Sequence, residues 1–279
     1  MPVILNQDDV PAEVFSDGVR RQRLIDSNRV ENSMCLFDRL TVEPGGGLAF
    51  CIPRSGVAWG QVLQGKVTFG KKGQDNHSLS ASSVAFFPPG FEGSMHSSSG
   101  AVLIILSIPD AVRLDPLISQ GMCDVCCIDL NAEPVLESEH DDRTRIYVAT
   151  RKLFGTTALS GELVTFPSGV TSSNHHHKGA EHFQYILQGK GIVYLDEQPT
   201  RIREGDLIYK YDLERHYCEN DGDKEMAFVE FFVPGEFETV WVNPEQRCAW
   251  SPTGRNARGE APTRNIATHT SDGTVYDDV

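Results

Sequence analysis

The chain has 279 residues, 23% of them charged and 39% hydrophobic, a balance that excludes a disordered or fibrous protein. Its 39 acidic and 25 basic side chains give a formal net charge of -14, and no Lys/Arg cluster reverses this locally, which argues against nucleic acid and anionic membranes as partners. The N-terminus lacks the basic start and apolar run of a secretory leader, no stretch reaches membrane-spanning length, and the seven cysteines follow no disulfide-framework spacing, so a cytoplasmic protein with reduced thiols is predicted.

In chain order, residues 1–32 carry no periodicity and are predicted to be an arm. Residues 33–115 hold short β-branched and aromatic runs between Gly, Pro and Ser clusters, such as Gly65-Lys66-Val67-Thr68-Phe69 and Ala101 to Leu106, the pattern of a β-barrel or sandwich. Residues 116–142 are acidic and Pro-containing and read as a linker. Residues 143–250 repeat the β pattern in Gly191 to Leu195 and Ala227 to Val233, and 251–279 read as an unpatterned tail. Val62-Leu63-Gln64-Gly65-Lys66 and Ile186-Leu187-Gln188-Gly189-Lys190 are the same strand-to-turn element. Each precedes a second turn, Phe87-Pro88-Pro89-Gly90 or Arg203-Glu204-Gly205-Asp206, so the chain is predicted to be two copies of one all-β unit.

Five of the nine histidines fall between His175 and His216. Side chains alternate along a strand, so His175 and His177 share one face and His176 points to the other. A strand returning beside them brings His182 to the same interior point, and a later one brings His216. Four neutral imidazoles facing inward need a partner, and one divalent transition metal is the partner they suit.

These residues resemble the cupin superfamily. Its first motif runs Gly, five residues, His-x-His, three or four residues, Glu, six residues, Gly; here it reads Gly169, His175-His176-His177, His182, Gly189, with His182 in the place of Glu. Its second motif ends His, three residues, Asn; here His216 and Asn220 are in register after Gly205, with Tyr211 and Leu213 in place of Pro and Gly. The resemblance implies two tandem double-stranded β-helix (jelly-roll) barrels, only the second with a metal site, at His175, His177, His182 and His216. Glu181 is the competitor for the third ligand. In the first unit Pro53, Ser55, Ala58 and Gly93 stand at the ligand positions, and His96 reads as structural.

Gln184 shares the face of His182, Tyr209 flanks the second motif and Glu230 lies in an apolar strand, which makes these three the candidate catalytic residues. Cys218, two residues after His216, is predicted to point the same way. Cys123-Asp124-Val125-Cys126-Cys127 has one CxxC spacing and no second pair, so a linker is the simpler reading than zinc. For function, the resemblance to all-His cupin dioxygenases favours Fe(II) and an oxidoreductase acting with O2 on a small chelating substrate. Bicupin (S)-ureidoglycine aminohydrolases offer the alternative of a Mn(II) or Zn(II) aminohydrolase or isomerase, with Ni(II) a further metal. A non-catalytic small-ligand binder is the third class. The family also implies a homodimer or higher homo-oligomer.

Overall fold

In the computed structural model, residues 3–71, 77–118, 124–270 and 279 are described. The protein is nearly all β, arranged as jelly-roll sheets rather than closed barrels. Among the described residues no helix is long and apolar enough to cross a membrane.

The chain forms two compact units, Asp8–Leu130 and Met1–Gln7 with Asn131–Val279. The first contains a ten-stranded sheet system in which the strand Val57–Gly70 pairs with Ala101–Ile108, Ser83–Phe87, His77–Ser80 and Glu92–His96. Leu40, Val62, Phe69, Phe87 and Leu103 pack its core. Residues expected to be an arm supply the sheet strands Glu13–Ser16 and Val19–Ile25. Arg20 to Arg23 interrupt the apolar alternation there, which hides the strand from a pattern reading. Among the described residues no disulfide forms, and Cys123 lies outside them.

The second unit opens with the strand Val3–Asn6, which pairs antiparallel with Asp206–Lys210 at one edge of a nine-stranded sheet. Across that sheet follow Glu181–Gln188, Met226–Val233, Ser160–Phe166, Thr144–Ala149, Pro134–Ser138, Ala249–Asn256 and His269–Thr270. A five-stranded sheet runs Gln198–Arg203, Lys190–Leu195, His216–Glu219, His175–Lys178, Glu238–Trp241. Val164, Phe166, Ile186, Val193, Ile208, Cys218 and Phe228 form a shared core. The regions 116–142 and 251–279, read as linker and tail, thus contribute to paired strands, of which Cys126–Asp129, Pro134–Ser138 and His269–Thr270 are too short to carry a clear period-two signal.

Turn chemistry fixes the strand joints. Gly189 sits at φ 81° and an added Cβ would lie 2.6 Å from the Glu225 carbonyl oxygen, so only glycine fits. Asn220, which closes the second motif, is fully buried; its amide donates to the Phe166 and Lys224 carbonyls at 2.8 Å each, and its Oδ1 accepts from Gly222 N–H at 3.0 Å.

Candidate metal centre

His175 and His177 leave the same face of their strand, and the antiparallel register sets His175 directly opposite His216. The ligand nitrogens of His175, His177 and His216 all lie within 4.8 Å of one another. Each ring is fixed from behind. His175 Nδ1 lies 2.8 Å from the Ser173 carbonyl and His216 Nδ1 2.8 Å from the Glu214 carbonyl. Carbonyls only accept, so both Nδ1 atoms carry the proton and both Nε2 atoms present a lone pair. His177 Nδ1 is 3.1 Å from Thr239 Oγ1. The buried His216 Nε2 has no hydrogen-bond partner among the described residues. Burial pushes His175 down to about 4 and holds His177 and His216 well below the usual imidazole range. Three neutral, pre-oriented imidazoles with an orphaned acceptor fit one divalent metal.

His182, expected as a fourth ligand, is placed beside this group rather than in it. Its ring lies 4.8 Å from that of His177 and 5.0 Å from that of His216, and it stacks on Phe232 at 4.3 Å. Its Nε2 is 2.9 Å from Glu230 Oε2 and donates there, which leaves the buried Nδ1 without a partner. Burial, with Lys210 adding to it, pushes His182 down to about 3. Glu181, its competitor, faces the other way and accepts from the Tyr209 hydroxyl. Tyr209, named among the candidate catalytic residues, also lies away from the cavity lining. The register pairs Tyr209 with Phe183, and Lys210 with His182, so alternation turns Tyr209 out of the cavity and Lys210 toward the His182 side.

Gln184 and Glu230 do face the cavity. They are register partners, and Gln184 Nε2 donates to Glu230 Oε2 at 2.9 Å. Cys218 also lines the cavity; its thiol, pushed up to about 11 by burial, is 3.8 Å from Gln184 Oε1. His176 lies outside the histidine group.

Several cavity residues escaped the sequence reading. Glu162 stands directly opposite Glu230, and Arg145 Nη2 is 2.7 Å from Glu162 Oε2. Burial, with the Glu230 charge adding to it and Arg145 opposing, pushes Glu162 up to about 8. Burial works against Glu230 as well, yet the hydrogen bond from His182, the Arg145 charge and the Gln184 hydrogen bond hold it below the usual carboxylate range. Arg143 is gripped by Asp141 through Nε at 2.8 Å and Nη2 at 2.7 Å. Lys210 is fully buried with its Nζ unpartnered among the described residues, and burial lowers it to about 8. The signal for part of this set was present: Arg143, Arg145 and Tyr147 alternate, as do Glu162, Val164 and Phe166. The cavity has a volume of about 40 Å³, room for about three waters. Arg143, Arg145, Glu162, Gln184, Glu230 and the three grouped histidines line it.

Residues 162–232 match the cupin domain family. The second unit carries a cupin domain. Oxalate decarboxylase OxdC of Bacillus subtilis (strain 168) is 29% identical over 120 residues, 41% of this chain and 30% of that protein. The oxalate-binding protein of Thermotoga maritima is 28% identical over 67 residues, 24% of this chain and 55% of that protein. The chain thus matches about half or less of these relatives' length. Among solved structures, a tryptophan-to-tyrosine variant of the Bacillus subtilis oxalate decarboxylase superposes with a TM-score of 0.67 at 15% identity, over 86% of this chain and 79% of that one. At that identity the likeness concerns the fold, a bicupin. Mn(II) centres are described in that decarboxylase.

The expectation of an oxygen-consuming oxidoreductase is overturned by these relatives, since a decarboxylase is a lyase. The preference for Fe(II) loses its basis with it; what stands is a cupin with a histidine site suited to a single divalent metal.

Proposed function

We propose that the second unit is the centre of a divalent-metal lyase acting on a small dicarboxylate of the oxalate type. The observation that carries this reading is the charge arrangement around the three-histidine group. The imidazoles are neutral, Arg143 is balanced by Asp141, Arg145 is balanced by Glu230 once Glu162 holds its proton, and Lys210, lowered to about 8, adds positive charge near neutral pH. The two positive charges of a bound metal are then uncompensated, and a dianion is the ligand that matches them. A cavity of about 40 Å³ suits a molecule of few heavy atoms.

His175, His177 and His216 would hold the metal, with His182 adjoining and oriented by Glu230. Mn(II) is the metal of choice. When bound, the metal supplies Lewis-acid polarisation of a substrate oxygen. Arg143 and Arg145 orient a carboxylate by their N–H forks. In decarboxylation the C–C bond breaks, CO2 leaves, and the electron pair stays on the remaining carboxylate carbon, which takes a proton to give formate. Glu162 is the group holding a proton near neutral pH, with Glu230, held by His182 and Gln184, directly opposite it.

The test is protein reconstituted with Mn(II) and incubated with oxalate. Formate and CO2 are expected, and chelation should abolish both. Full metal loading with neither oxalate binding nor formate would sink the reading; saturable binding without formate would leave a binding module instead. We also propose a homo-oligomer, supported by the adjacent exposed apolar Val14 and Phe15 on the sheet-edge strand Glu13–Ser16. Sedimentation as a monomer at micromolar concentration would contradict it.

A further inference from the structure

We propose that His269, on the short strand His269–Thr270 near the C-terminal end, is a positioning residue of the metal cavity: it fixes the Tyr147 hydroxyl, which in turn fixes the Arg145 guanidinium. His269 is 6% exposed, and its Nδ1 lies 2.9 Å from the Ala267 carbonyl. That carbonyl only accepts, so Nδ1 carries the proton. Burial lowers the imidazole's affinity for a second one, so Nε2 is a bare acceptor. The Tyr147 oxygen is 2.6 Å from Nε2, and the hydroxyl must donate to it. The phenol oxygen is then left with lone pairs alone, and Arg145 Nη1 donates to it at 3.2 Å. Every proton in the chain has one direction.

Nη2 and one face of the guanidinium are also held. Nη2 meets Glu162 at 2.7 Å, and the Arg145 Cζ lies 4.0 Å from the Trp250 ring centroid. Trp250 is the register partner of His269, so one two-stranded ladder delivers both the stacking ring and the acceptor that commits Tyr147. Arg145 and Trp250 line the cavity; Tyr147 and His269 stand behind them.

Removing the acceptor changes what Tyr147 does. Its buried O–H needs a new acceptor, and Glu162, directly opposite Tyr147 in the sheet register, is the carboxylate available. The hydroxyl would then compete with Arg145 for Glu162 and loosen the fork. The consequence for carboxylate binding rests on the lyase reading above; the consequence for Arg145 itself does not.

The test follows the Arg145 guanidinium by nitrogen-15 NMR in full-length protein loaded with diamagnetic Zn(II), the signal assigned by its loss in Arg145→Lys. Hindered rotation, seen as resolved Nη–H resonances, is expected in the unaltered chain. It should be averaged in His269→Leu and in Tyr147→Phe, and restored in His269→Gln, whose amide oxygen can take the Nε2 position. In the Mn(II)-loaded protein, His269→Leu should weaken oxalate binding about tenfold with metal content unchanged. Unaltered Arg145 resonances in both His269→Leu and Tyr147→Phe, or His269→Gln behaving as His269→Leu, would overturn the proposal. If the unaltered protein binds no oxalate, the lyase reading falls while the Arg145 spectra still decide the role of His269. Should His269→Leu not fold, Tyr147→Phe, which removes one oxygen and no packing, carries the test.

Discussion

Glu162 and Glu230 stand directly opposite one another on adjacent antiparallel strands, and the negative charge of Glu230 raises the cost of ionising Glu162. Two ionised carboxylates at that separation repel, and burial sharpens the repulsion, so the pair keeps one proton through neutral pH. His182, 2.9 Å from Glu230, and Gln184 bias the negative charge toward Glu230 and the proton toward Glu162.

Glu162→Gln is expected to keep carboxylate binding and lose turnover. The amide preserves shape and hydrogen bonding but cannot release a proton, so kcat for formate production should fall by about 10²- to 10⁴-fold with KM changed little. A raised KM with kcat intact would place Glu162 in binding instead.

Metal retention should rank the histidines. His177→Ala and His216→Ala remove a member of the converging group and are expected to lose the metal on dialysis, whereas His182→Ala should retain most of it at reduced affinity. His176→Ala should match the unaltered protein. Elemental analysis of the dialysed variants reads this directly, and equal losses in His177→Ala and His182→Ala would make His182 a full ligand.

Acid should weaken the metal-free protein early. His175 and His182 are held at about 4 and about 3 when folded, below the unfolded imidazole near 6.5, so between these limits the unfolded chain binds protons that the native one refuses. Stability is full above about pH 6.5 and falls as pH drops toward about 4, by up to about 1.4 kcal/mol per pH unit for each such histidine. Glu162 acts in the opposite sense: raised to about 8, it stabilises fully below about pH 4.5 and this contribution is lost as pH rises through about 8. Urea titrations across pH 4 to 8 would show a stability maximum near neutrality; a curve rising steadily toward pH 4 would contradict the buried neutral histidines.

Two turn glycines with the same φ of 81° should respond differently to alanine. At Gly189 a Cβ meets backbone at 2.6 and 2.7 Å, while at Gly169 it meets nothing within 4 Å. Gly169→Ala is expected to cost about 1 kcal/mol, the left-handed backbone penalty alone, and Gly189→Ala distinctly more because strand backbone must move. Equal midpoint shifts in denaturant would mean that the turn at Gly189 relaxes freely.

The sequence by itself determined the features that depend on local periodicity and spacing. Alternation set His175 and His177 on one face and His176 on the other, and the intervals from Gly169 to Gly189 and from Gly205 to Asn220 supplied the cupin resemblance and the position of His216. Those signals survive without a partner strand because each is written within one strand and its turns. Tertiary structure decided what depends on register between strands distant in the chain. It turned Tyr209 and Glu181 outward together, gave His182 to Glu230, and inserted Val3–Asn6 beside Asp206–Lys210. It also gathered Arg145, Glu162, Glu230 and His269 into one network from four separate strands. A one-residue slip in any of those pairings would reverse which face each side chain takes, and such pairings are fixed by the packed sheet rather than by any local run of residues.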